Sequence, residues 1–381
     1  METQPAGIYI HVPFCLRKCR YCDFYSATEL NKRDAFVAAL RREIELAPDP
    51  GPADTLYFGG GTPSLLDPGQ VAAVIAAVKA RFSFLPDVEI TLEANPGTVD
   101  QATLTDFKSA GVNRLNLGIQ SFDDRQLAFL GRIHTAHEAR QSIEATRAAG
   151  FTNLGLDLIY GLPGQTVADL VRVVERAVTF KPEHLSCYLL TYEKGTPLDR
   201  EREMGNVVPL AEKESAQLFL EIMDLLAASG YMQYEISNFA RSESHVSRHN
   251  RKYWNFAPYV GLGPAAHSFL DPVRYWNHSE LSVYLSTLEQ GQLPVRAKES
   301  LTPGQQMIEA VYLGLRQTAG ISIPAFNQKF AVDFNTLFQA VLSDPGLTDL
   351  LETNDGFCRL TPEGMLVMDT VVSRFVDVIP F

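Results

Sequence analysis

The sequence predicts an α/β protein built around a partial (β/α)6 barrel of the TIM type, followed by a C-terminal extension and a small winged-helix-like domain. Two observations lead to this fold class. Short apolar runs rich in β-branched and aromatic residues alternate six times with longer amphipathic stretches, and this alternation stops near residue 200. Such alternation favours a parallel sheet, and six units fall short of the eight strands that close a complete barrel.

Predicted strands and helices follow one another through the first half of the chain. The strands are GIYIHV, DTLYFGGG, VEITLEANP, VNRLNLGIQSF, TNLGLDLIYGLP and HLSCYLLTY. The helices are RDAFVAALRREIELA, PGQVAAVIAAVKARF, DQATLTDFKSAG, TAHEARQSIEATRAAG and TVADLVRVVERAVTF. Functional groups of such folds lie at the carboxyl ends of the strands, so we expect a site there. Polar or glycine residues occupy these ends, namely Tyr9, His11, Gly59 to Thr62, Glu93, Gln120, Asp157 and Thr191.

The second half of the chain lacks this alternation. A long helix candidate, AEKESAQLFLEIMDLLAASG, leads into an aromatic-rich, loop-like stretch from Tyr231 to Trp276, which holds both tryptophans. From Leu301 onward, LTDLLETNDGFCRLTPEGMLVMDTVVSRF predicts a helix, a small hairpin and a final helix, as in a winged-helix domain. We therefore predict three domains: a barrel at 1–200, an extension that completes its cavity at 201–300, and a winged-helix-like domain at 301–381.

Composition and charge narrow the class of protein. The chain has 381 residues, 46% of them hydrophobic, and a formal net charge of -12. This charge argues against a general nucleic-acid binder, and residues 301–381 hold four Lys/Arg against nine Asp/Glu. The sequence shows no signal peptide and no apolar run long enough to cross a membrane, so we expect a cytoplasmic protein.

Three of the five cysteines, Cys15, Cys19 and Cys22, crowd into CLRKCRYC directly after the first predicted strand. Cysteine thiolates are the usual ligands of iron–sulfur clusters. Three ligands on a four-iron cluster would leave one iron open. The spacing C-x3-C-x2-C therefore favours a 4Fe-4S cluster.

Two other interpretations of this segment stay open at the level of the residues. A zinc site would need a fourth ligand, although zinc motifs usually pair two C-x2-C segments. The candidates for this fourth ligand are His11, Cys187 and Cys358. Buried, inert cysteines are less favoured, because three basic residues interleave with them and charged side chains are costly to bury.

The cysteine segment resembles that of the radical S-adenosylmethionine (SAM) proteins, in which an aromatic residue, here Tyr21, precedes the last cysteine. The resemblance covers nearly the whole chain, through YIHVPFC, YFGGGTPSLL, LEANPGT, LGIQSFDD, LGRIH, DLIYGLPGQT and GLGPAAHSF. In combination, these motifs are typical of the branch that contains oxygen-independent coproporphyrinogen III dehydrogenase and the HemW-type heme chaperones.

The resemblance implies that the open iron of the cluster binds SAM, which the reduced cluster can cleave to a 5′-deoxyadenosyl radical. Whether this chain cleaves SAM productively, as an enzyme, is left open. The SAM-binding residues that the resemblance implies are Tyr9, Tyr21, Gly60, Gly61, Thr62, Glu93, Gln120, Arg132 and Asp157. Their chemistry suits this ligand, because glycines allow close backbone approach and a guanidinium binds a carboxylate through a forked hydrogen bond.

Two departures from the dehydrogenase favour the heme chaperones. The dehydrogenase has a further cysteine two positions after the third, where this chain has Phe24, and a longer extension before the cluster. The favoured function is therefore that of a radical SAM protein that binds heme, takes it from a donor and delivers it to acceptor hemoproteins. The alternative is oxidative decarboxylation of coproporphyrinogen III to protoporphyrinogen IX.

A second motif, HNRKYW from His249 to Trp254, matches the H-N-x-x-Y-W motif of the chaperones. An imidazole can ligate heme iron, and neighbouring aromatic rings can cover a flat macrocycle. We therefore expect His249 as the heme ligand, with His267 as the alternative, although histidines in polar loops more often have structural roles. The sequence leaves homodimer formation and peripheral membrane contact open.

Overall fold

The computed structural model describes residues 4–380, and all six predicted strands are present in it. They are β1 (Ala6–Val12), β2 (Ala53–Gly60), β3 (Phe84–Ala94), β4 (Arg114–Gln120), β5 (Leu154–Tyr160) and β6 (His184–Leu189). Each strand pairs in parallel with the next along the chain. The predicted α/β fold with a partial barrel is confirmed.

The five predicted helices connect the barrel strands, and a further short helix, α4, precedes α5. Their bounds are α1 (Arg33–Leu46), α2 (Pro68–Arg81), α3 (Gln101–Ser109), α4 (Asp124–Leu130), α5 (Ala136–Ala148) and α6 (Val167–Thr179). Helices α5 and α6 begin at capping boxes, in which Thr135 and Thr166 accept the backbone N–H three residues later. Side chains alternate across each strand, so that Ile8 and Ile10 are fully buried in the core while Tyr9 and His11 face the barrel interior. The barrel interior is therefore polar.

The stretch predicted as loop-like, Tyr231 to Trp276, contains five short strands and a helix, so this part of the prediction is wrong. After α7 (Pro197–Glu203) and α8 (Glu212–Ala228) come β7 (Met232–Glu235), β8 (Asn238–Ala240), α9 (Arg248–Trp254), β9 (Tyr259–Leu262), β10 (His267–Leu270), β11 (Val273–Asn277), α10 (Leu281–Glu289) and β12 (Val295–Ser300). These strands extend the barrel sheet to the order β12-β11-β10-β9-β1-β2-β3-β4-β5-β6-β8-β7. They are too short to show a clear alternation in the sequence, and the edges of β1 and β6 supply their pairing partners.

Buried Glu43 of α1 anchors the β9–β11 part of this extension. Its carboxylate accepts hydrogen bonds from the Gly263 N–H at 2.8 Å, from Asn277 Nδ2 at 2.6 Å and from the Tyr284 hydroxyl at 2.6 Å. Burial raises the pKa of Glu43 to about 7, although the three donors act in the opposite direction. The contacts join β11, α10 and the segment after β9 to the outside of the barrel.

Helix α9 covers the amino ends of the first barrel strands. The backbone N–H groups of Arg248 and His249 donate to the carboxylate of Glu89, at 3.3 and 3.2 Å. Lys252 donates to the backbone oxygen of Pro5 at 2.7 Å and pairs with Asp54. The segment HNRKYW therefore lies at the end of the barrel opposite the cysteine segment.

The C-terminal part contains α11 (Pro303–Arg316), β13 (Ile321–Ser322), α12 (Ile323–Phe330), α13 (Phe334–Leu337), α14 (Gln339–Leu342), β14 (Leu351–Asn354), β15 (Phe357–Leu360), α15 (Pro362–Leu366) and α16 (Met368–Val376). Strands β14 and β15 form the predicted hairpin, and β13 adds a third antiparallel strand. The phenylalanines at 326, 334, 338 and 375 pack edge to face in its centre. None of the described helices is both long and apolar enough to cross a lipid bilayer.

Candidate functional site

The cysteine segment lies at the carboxyl end of β1, at the mouth of a cavity of about 760 Å³. All three thiols line this cavity and are half-buried. Cys15 Sγ lies 3.6 Å from Thr62 Oγ1, and Arg132 Nη1 donates to Cys19 Sγ at 3.4 Å. Burial raises the pKa of Cys15 and Cys22, which favours their protonated thiols in the absence of a metal. The positive charge of a bound metal would favour the ionised thiolates instead.

Contacts with two other elements hold this segment in place. Arg20 Nη1 donates to the backbone oxygen of Phe129 in α4 at 3.1 Å, and the same guanidinium pairs with Glu201 of α7. The Leu198 N–H donates to the Arg20 carbonyl at 3.0 Å. These contacts fix the backbone between the second and third cysteines.

The zinc interpretation finds little support in the surroundings of the cysteines. His11 donates from Nε2 to the Tyr25 carbonyl at 3.0 Å, and its Nδ1 lies 3.2 Å from the Tyr9 hydroxyl, so both ring nitrogens are engaged. Cys187 and Cys358 are buried in β6 and β15. Within residues 4–380, no group of three or more His, Cys, Asp or Glu side chains is placed to hold a single metal ion. In a four-iron cluster each thiolate binds a different iron, so the three need not meet at one point.

Eight of the nine SAM residues implied by the sequence line the same cavity. These are Tyr21, Gly60, Gly61, Thr62, Glu93, Gln120, Arg132 and Asp157. Tyr9 is placed differently: its ring stacks against Tyr57 and His249, at centroid distances of 6.2 Å to each, and it is absent from the cavity wall. The topology thus brings together residues separated by more than a hundred positions.

Two half-buried carboxylates, those of Glu93 and Asp157, line the cavity within the barrel. Glu93 accepts a hydrogen bond from the Tyr57 hydroxyl at 2.6 Å, and Asp157 Oδ2 accepts one from Asn116 Nδ2 at 2.6 Å. Burial, and to a lesser extent the negative charge of Asp157, raise the pKa of Glu93 to about 7 against the effect of the Tyr57 bond. Burial also raises the pKa of Asp157. A cationic ligand in the cavity would lower both values.

Several buried polar atoms at the cavity wall have no protein partner. Within the described part of the chain these include Gln120 Oε1, Arg132 Nε and Asp157 Oδ1. Buried polar atoms are normally hydrogen-bonded, so their concentration at this wall indicates a polar ligand. Acceptors, a guanidinium donor and carboxylates suit the ammonium, carboxylate and ribose hydroxyls of SAM. The residues therefore fit this cofactor.

The glycines after β2 allow close approach of the backbone. Gly60 has φ of +107°, and a Cβ there would lie 2.7 Å from the His11 ring. A Cβ on Gly61 would lie 2.6 Å from the Phe14 carbonyl oxygen. Both positions therefore require glycine.

We expect Gly60→Ala to destabilise the chain by roughly 1–3 kcal/mol, because alanine must adopt an unfavourable φ and displace His11. It should also weaken SAM binding, measured by equilibrium dialysis, because the cavity wall shifts. Gly69→Ala is the matched control: it lies exposed in α2 with no atom within 4 Å of the added Cβ, and it should leave stability unchanged or raise it. A Gly60→Ala variant as stable as Gly69→Ala would contradict the expected strain.

Three residues of the site were not identified from the sequence. Asn95 donates to Thr62 Oγ1 at 2.9 Å and accepts from Arg132, so it joins the glycine segment to the guanidinium. Tyr57 and Asn116 orient the two carboxylates. The signal for Tyr57 was strand alternation, since it lies two residues before Gly59. Asn95 stood in the quoted motif LEANPGT, but its contacts depend on residues far along the chain.

His249 is buried, although the sequence suggested it as the heme ligand. Its side chain is 1% exposed; Nδ1 lies 2.8 Å from Thr55 Oγ1, and Nε2 lies 3.0 Å from the Tyr253 hydroxyl. Its ring stacks on Tyr57 at 4.9 Å. Burial, with a smaller contribution from Lys252, lowers its pKa to about 3, so it is neutral. Heme iron could reach neither nitrogen unless α9 moved, and this arrangement does not fit direct ligation.

Comparison with known proteins places these features in context. A family model described as the radical SAM superfamily matches residues 9–177, and a model described as the HemN C-terminal domain matches residues 301–367. Among solved structures, coproporphyrinogen III oxidase (HemN) from Escherichia coli, described as a radical SAM enzyme, superposes with a TM-score of 0.84. It shares 23% sequence identity and covers 98% of this chain and 90% of that chain, which supports the fold.

Relatives of similar length are named heme chaperone HemW. The protein of that name from Mycobacterium tuberculosis is 36% identical over 379 residues, which cover 98% of this chain and 95% of the relative. The one from Bacillus subtilis is 34% identical over 373 residues, or 97% and 98% of the two chains. A bovine protein named radical S-adenosyl methionine domain-containing protein 1, mitochondrial, is 33% identical and covers 96% of this chain and 83% of its own.

Proposed function

Because this chain belongs to the radical SAM superfamily, in the HemN-like branch close to the heme chaperone HemW, we propose that it binds heme and delivers it to acceptor hemoproteins. The observation that carries this proposal is similarity over the whole length to relatives named heme chaperones. The exposed Phe24 supports it. This side chain is 69% exposed at the cavity mouth, where the dehydrogenase has a further cysteine.

Membership of the superfamily implies a 4Fe-4S cluster and SAM. We propose that Cys15, Cys19 and Cys22 hold the cluster. When bound, cluster and SAM together supply one-electron reduction and radical chemistry. The protein contributes the surroundings: the basic side chain of Arg132 beside Cys19, and the partly enclosed cavity that limits access of water to the cofactors.

For SAM we propose that the polar wall of the cavity provides recognition. Arg132 suits the carboxylate of the methionine part, and the carboxylates of Glu93 and Asp157 suit hydroxyl or ammonium groups. Gln120 has φ of +66°, an unusual conformation for a residue other than glycine, and its Oε1, which has no protein partner, is available to accept a hydrogen bond from the ligand. Gly60 and Gly61 admit the ligand close to the backbone.

Residues 1–200, 201–300 and 301–381 are the domains that we propose for these functions. The first holds the cofactors, and the second extends the same sheet through β7 to β12. The third contacts the base of the barrel, where Gln317 Nε2 donates to the Trp254 carbonyl at 3.2 Å. A heme donor and acceptor hemoproteins are the partners that this function requires.

The proposal is tested on a single sample of the chain reconstituted anaerobically with iron and sulfide. With reductant and SAM present, one portion receives heme and another coproporphyrinogen III. We expect tight, stoichiometric heme binding, measured by absorption, and no change in the porphyrinogen. Formation of protoporphyrinogen would favour the decarboxylation alternative, and a chain that binds no heme would contradict the proposed function.

A further inference from the structure

We propose that heme binds to the face of the β10–β12 extension that carries His267 and Trp276, with the imidazole of His267 as its iron ligand and the indole of Trp276 beside the macrocycle. This inference rests on the proposed function, heme binding, and assigns it to one surface. It replaces His249, whose ring nitrogens are both engaged inside the barrel.

Most histidines of the chain are unsuited to ligate an external heme. Four of the eight are at most 5% exposed, namely His11, His134, His184 and His249. Of the others, His245 has Nδ1 within 2.8 Å of Ser242 Oγ. His137 and His278 have no aromatic ring stacked beside them in the described part of the chain, whereas His267 has one. His267 is also exposed, and within residues 4–380 neither of its ring nitrogens has a hydrogen-bond partner.

The strand register places a half-exposed indole against this imidazole. His267 of β10 lies directly opposite Trp276 of β11, and their rings stack at a centroid distance of 5.6 Å with an angle of 18° between the planes. On the other side of Trp276, the residue directly opposite on β12 is Ala297. Its small side chain leaves the indole partly uncovered. Exposed aromatic area beside a free imidazole provides both iron ligation and apolar contact.

The next pair of residues on this face, Phe269 and Arg274, adds a positive charge, whereas the Phe269 ring is only 3% exposed and packs against Phe256. Phe269 lies opposite Arg274, whose guanidinium stands 5.9 Å from the Phe269 ring centroid. Arg274 donates to Glu309 Oε2 at 2.5 Å and lies 3.7 Å from Glu299. The Arg274 guanidinium suits a propionate group of heme. This propionate would compete with the exposed Glu299 for the guanidinium.

The protonation state of His267 favours ligation. Burial on one side, and after it the nearby Arg274, lower the pKa of His267, so that its ring is neutral with a free lone pair at neutral pH. The backbone carbonyl of His267 packs against Gly261 of β9, which pairs with Tyr9 of β1. Tyr9 contacts His11, which packs against Gly60 of the cavity wall, so a chain of contacts joins the proposed heme surface to the SAM cavity.

The experiment is a titration of the reconstituted full-length chain with hemin, followed by absorption in the Soret region. His267→Ala should lower the affinity about 10- to 100-fold. His267→Met should retain heme but change its spectrum, because a thioether replaces the imidazole on the iron. Trp276→Leu should weaken binding less than His267→Ala without altering the ligand spectrum.

Two histidine variants serve as controls. His137→Ala removes an exposed imidazole on α5, outside the proposed surface, and should bind heme as the unmodified chain does. His249→Gln should also keep the heme spectrum, provided that its circular dichroism shows a folded chain. Unchanged affinity and spectrum in His267→Ala would overturn the inference and leave the proposed function intact. An unmodified chain that binds no heme would overturn both.

Discussion

Replacing any one of Cys15, Cys19 or Cys22 by alanine should abolish stable binding of the iron–sulfur cluster. Each thiolate binds one iron of the 4Fe-4S cluster, and the two thiolates that remain in each variant rarely hold such a cluster. The structure adds a reason of its own: all three thiols line one cavity, and Arg132 and Thr62 contact two of them. Iron and sulfide analysis of the reconstituted variants measures this effect.

Cys358→Ala is the matched control for these variants. Cys358 is fully buried in β15 of the C-terminal part, away from the cavity, and removing its thiol should leave the iron content unchanged. A cluster-segment variant with the iron and sulfide content of Cys358→Ala would show that these cysteines are not its ligands. A colourless protein that binds zinc instead would refute the cluster altogether.

Arg316→Met should destabilise the chain by roughly 3–5 kcal/mol, because it leaves a buried carboxylate without its counter-charge. Arg316 Nε lies 2.6 Å from Glu235 Oε2, and the Glu235 side chain is 0% exposed. The pair joins β7 of the barrel sheet to the end of α11, and the same guanidinium stacks over Trp254 at 4.5 Å. Denaturant unfolding followed by circular dichroism measures the loss.

Arg359→Met is the matched control, since it breaks an exposed ion pair with Glu352 by the same substitution. Its effect should stay below about 1 kcal/mol. The double variant Glu235→Gln, Arg316→Met should recover part of the stability, because it removes the uncompensated charge while Ser237 and Asn238 still have a hydrogen-bond acceptor. Equal effects of Arg316→Met and Arg359→Met would contradict the buried-pair argument.

The loss of unfolding free energy caused by Arg316→Met should also depend on pH. Burial raises the pKa of Glu235 even with Arg316 in place, and removal of the guanidinium raises it further. A carboxyl whose folded-state pKa exceeds its unfolded value loses stability as the pH rises through the interval between the two values. The variant should therefore be least stable, relative to the unmodified chain, at alkaline pH, and the deficit should shrink toward about pH 5.

The barrel and most of its site were predictable because the signals are local. Each barrel strand is a short, mostly apolar segment with polar or glycine residues at or near its carboxyl end. Parallel strands place all those ends on one edge, so Gly60, Glu93, Gln120 and Asp157 meet there whatever the details of packing. Tyr9 was assigned to the same site but lies outside the cavity wall, further from the carboxyl ends of the strands. The alternation of side chains along a strand predicts which face a residue lies on, but not how far a ligand extends into the barrel.

The extension was missed for a different reason. Strands β7 to β12 have three to six residues each and form by pairing with edges contributed by distant parts of the chain. Local propensity carries little information in segments of this length. The aromatic residues of this stretch lie in three different places. Some pack at the amino end of the barrel, Trp254 contacts Arg316 at the end of α11, and Trp276 stacks on His267 in the extension.

The sequence by itself determined the cysteine segment, the order of the six strands and the polar rim, because each depends on neighbouring residues or on strand topology. Only the tertiary structure decided which histidine is accessible. The His249 ring is buried inside the amino end of the barrel because Glu89 and Thr55 bind α9, while His267 is exposed because β10 pairs into the extension. The burial of a side chain depends on contacts between distant segments of the chain. A local sequence motif specifies the residue type at a position but not whether that residue is buried.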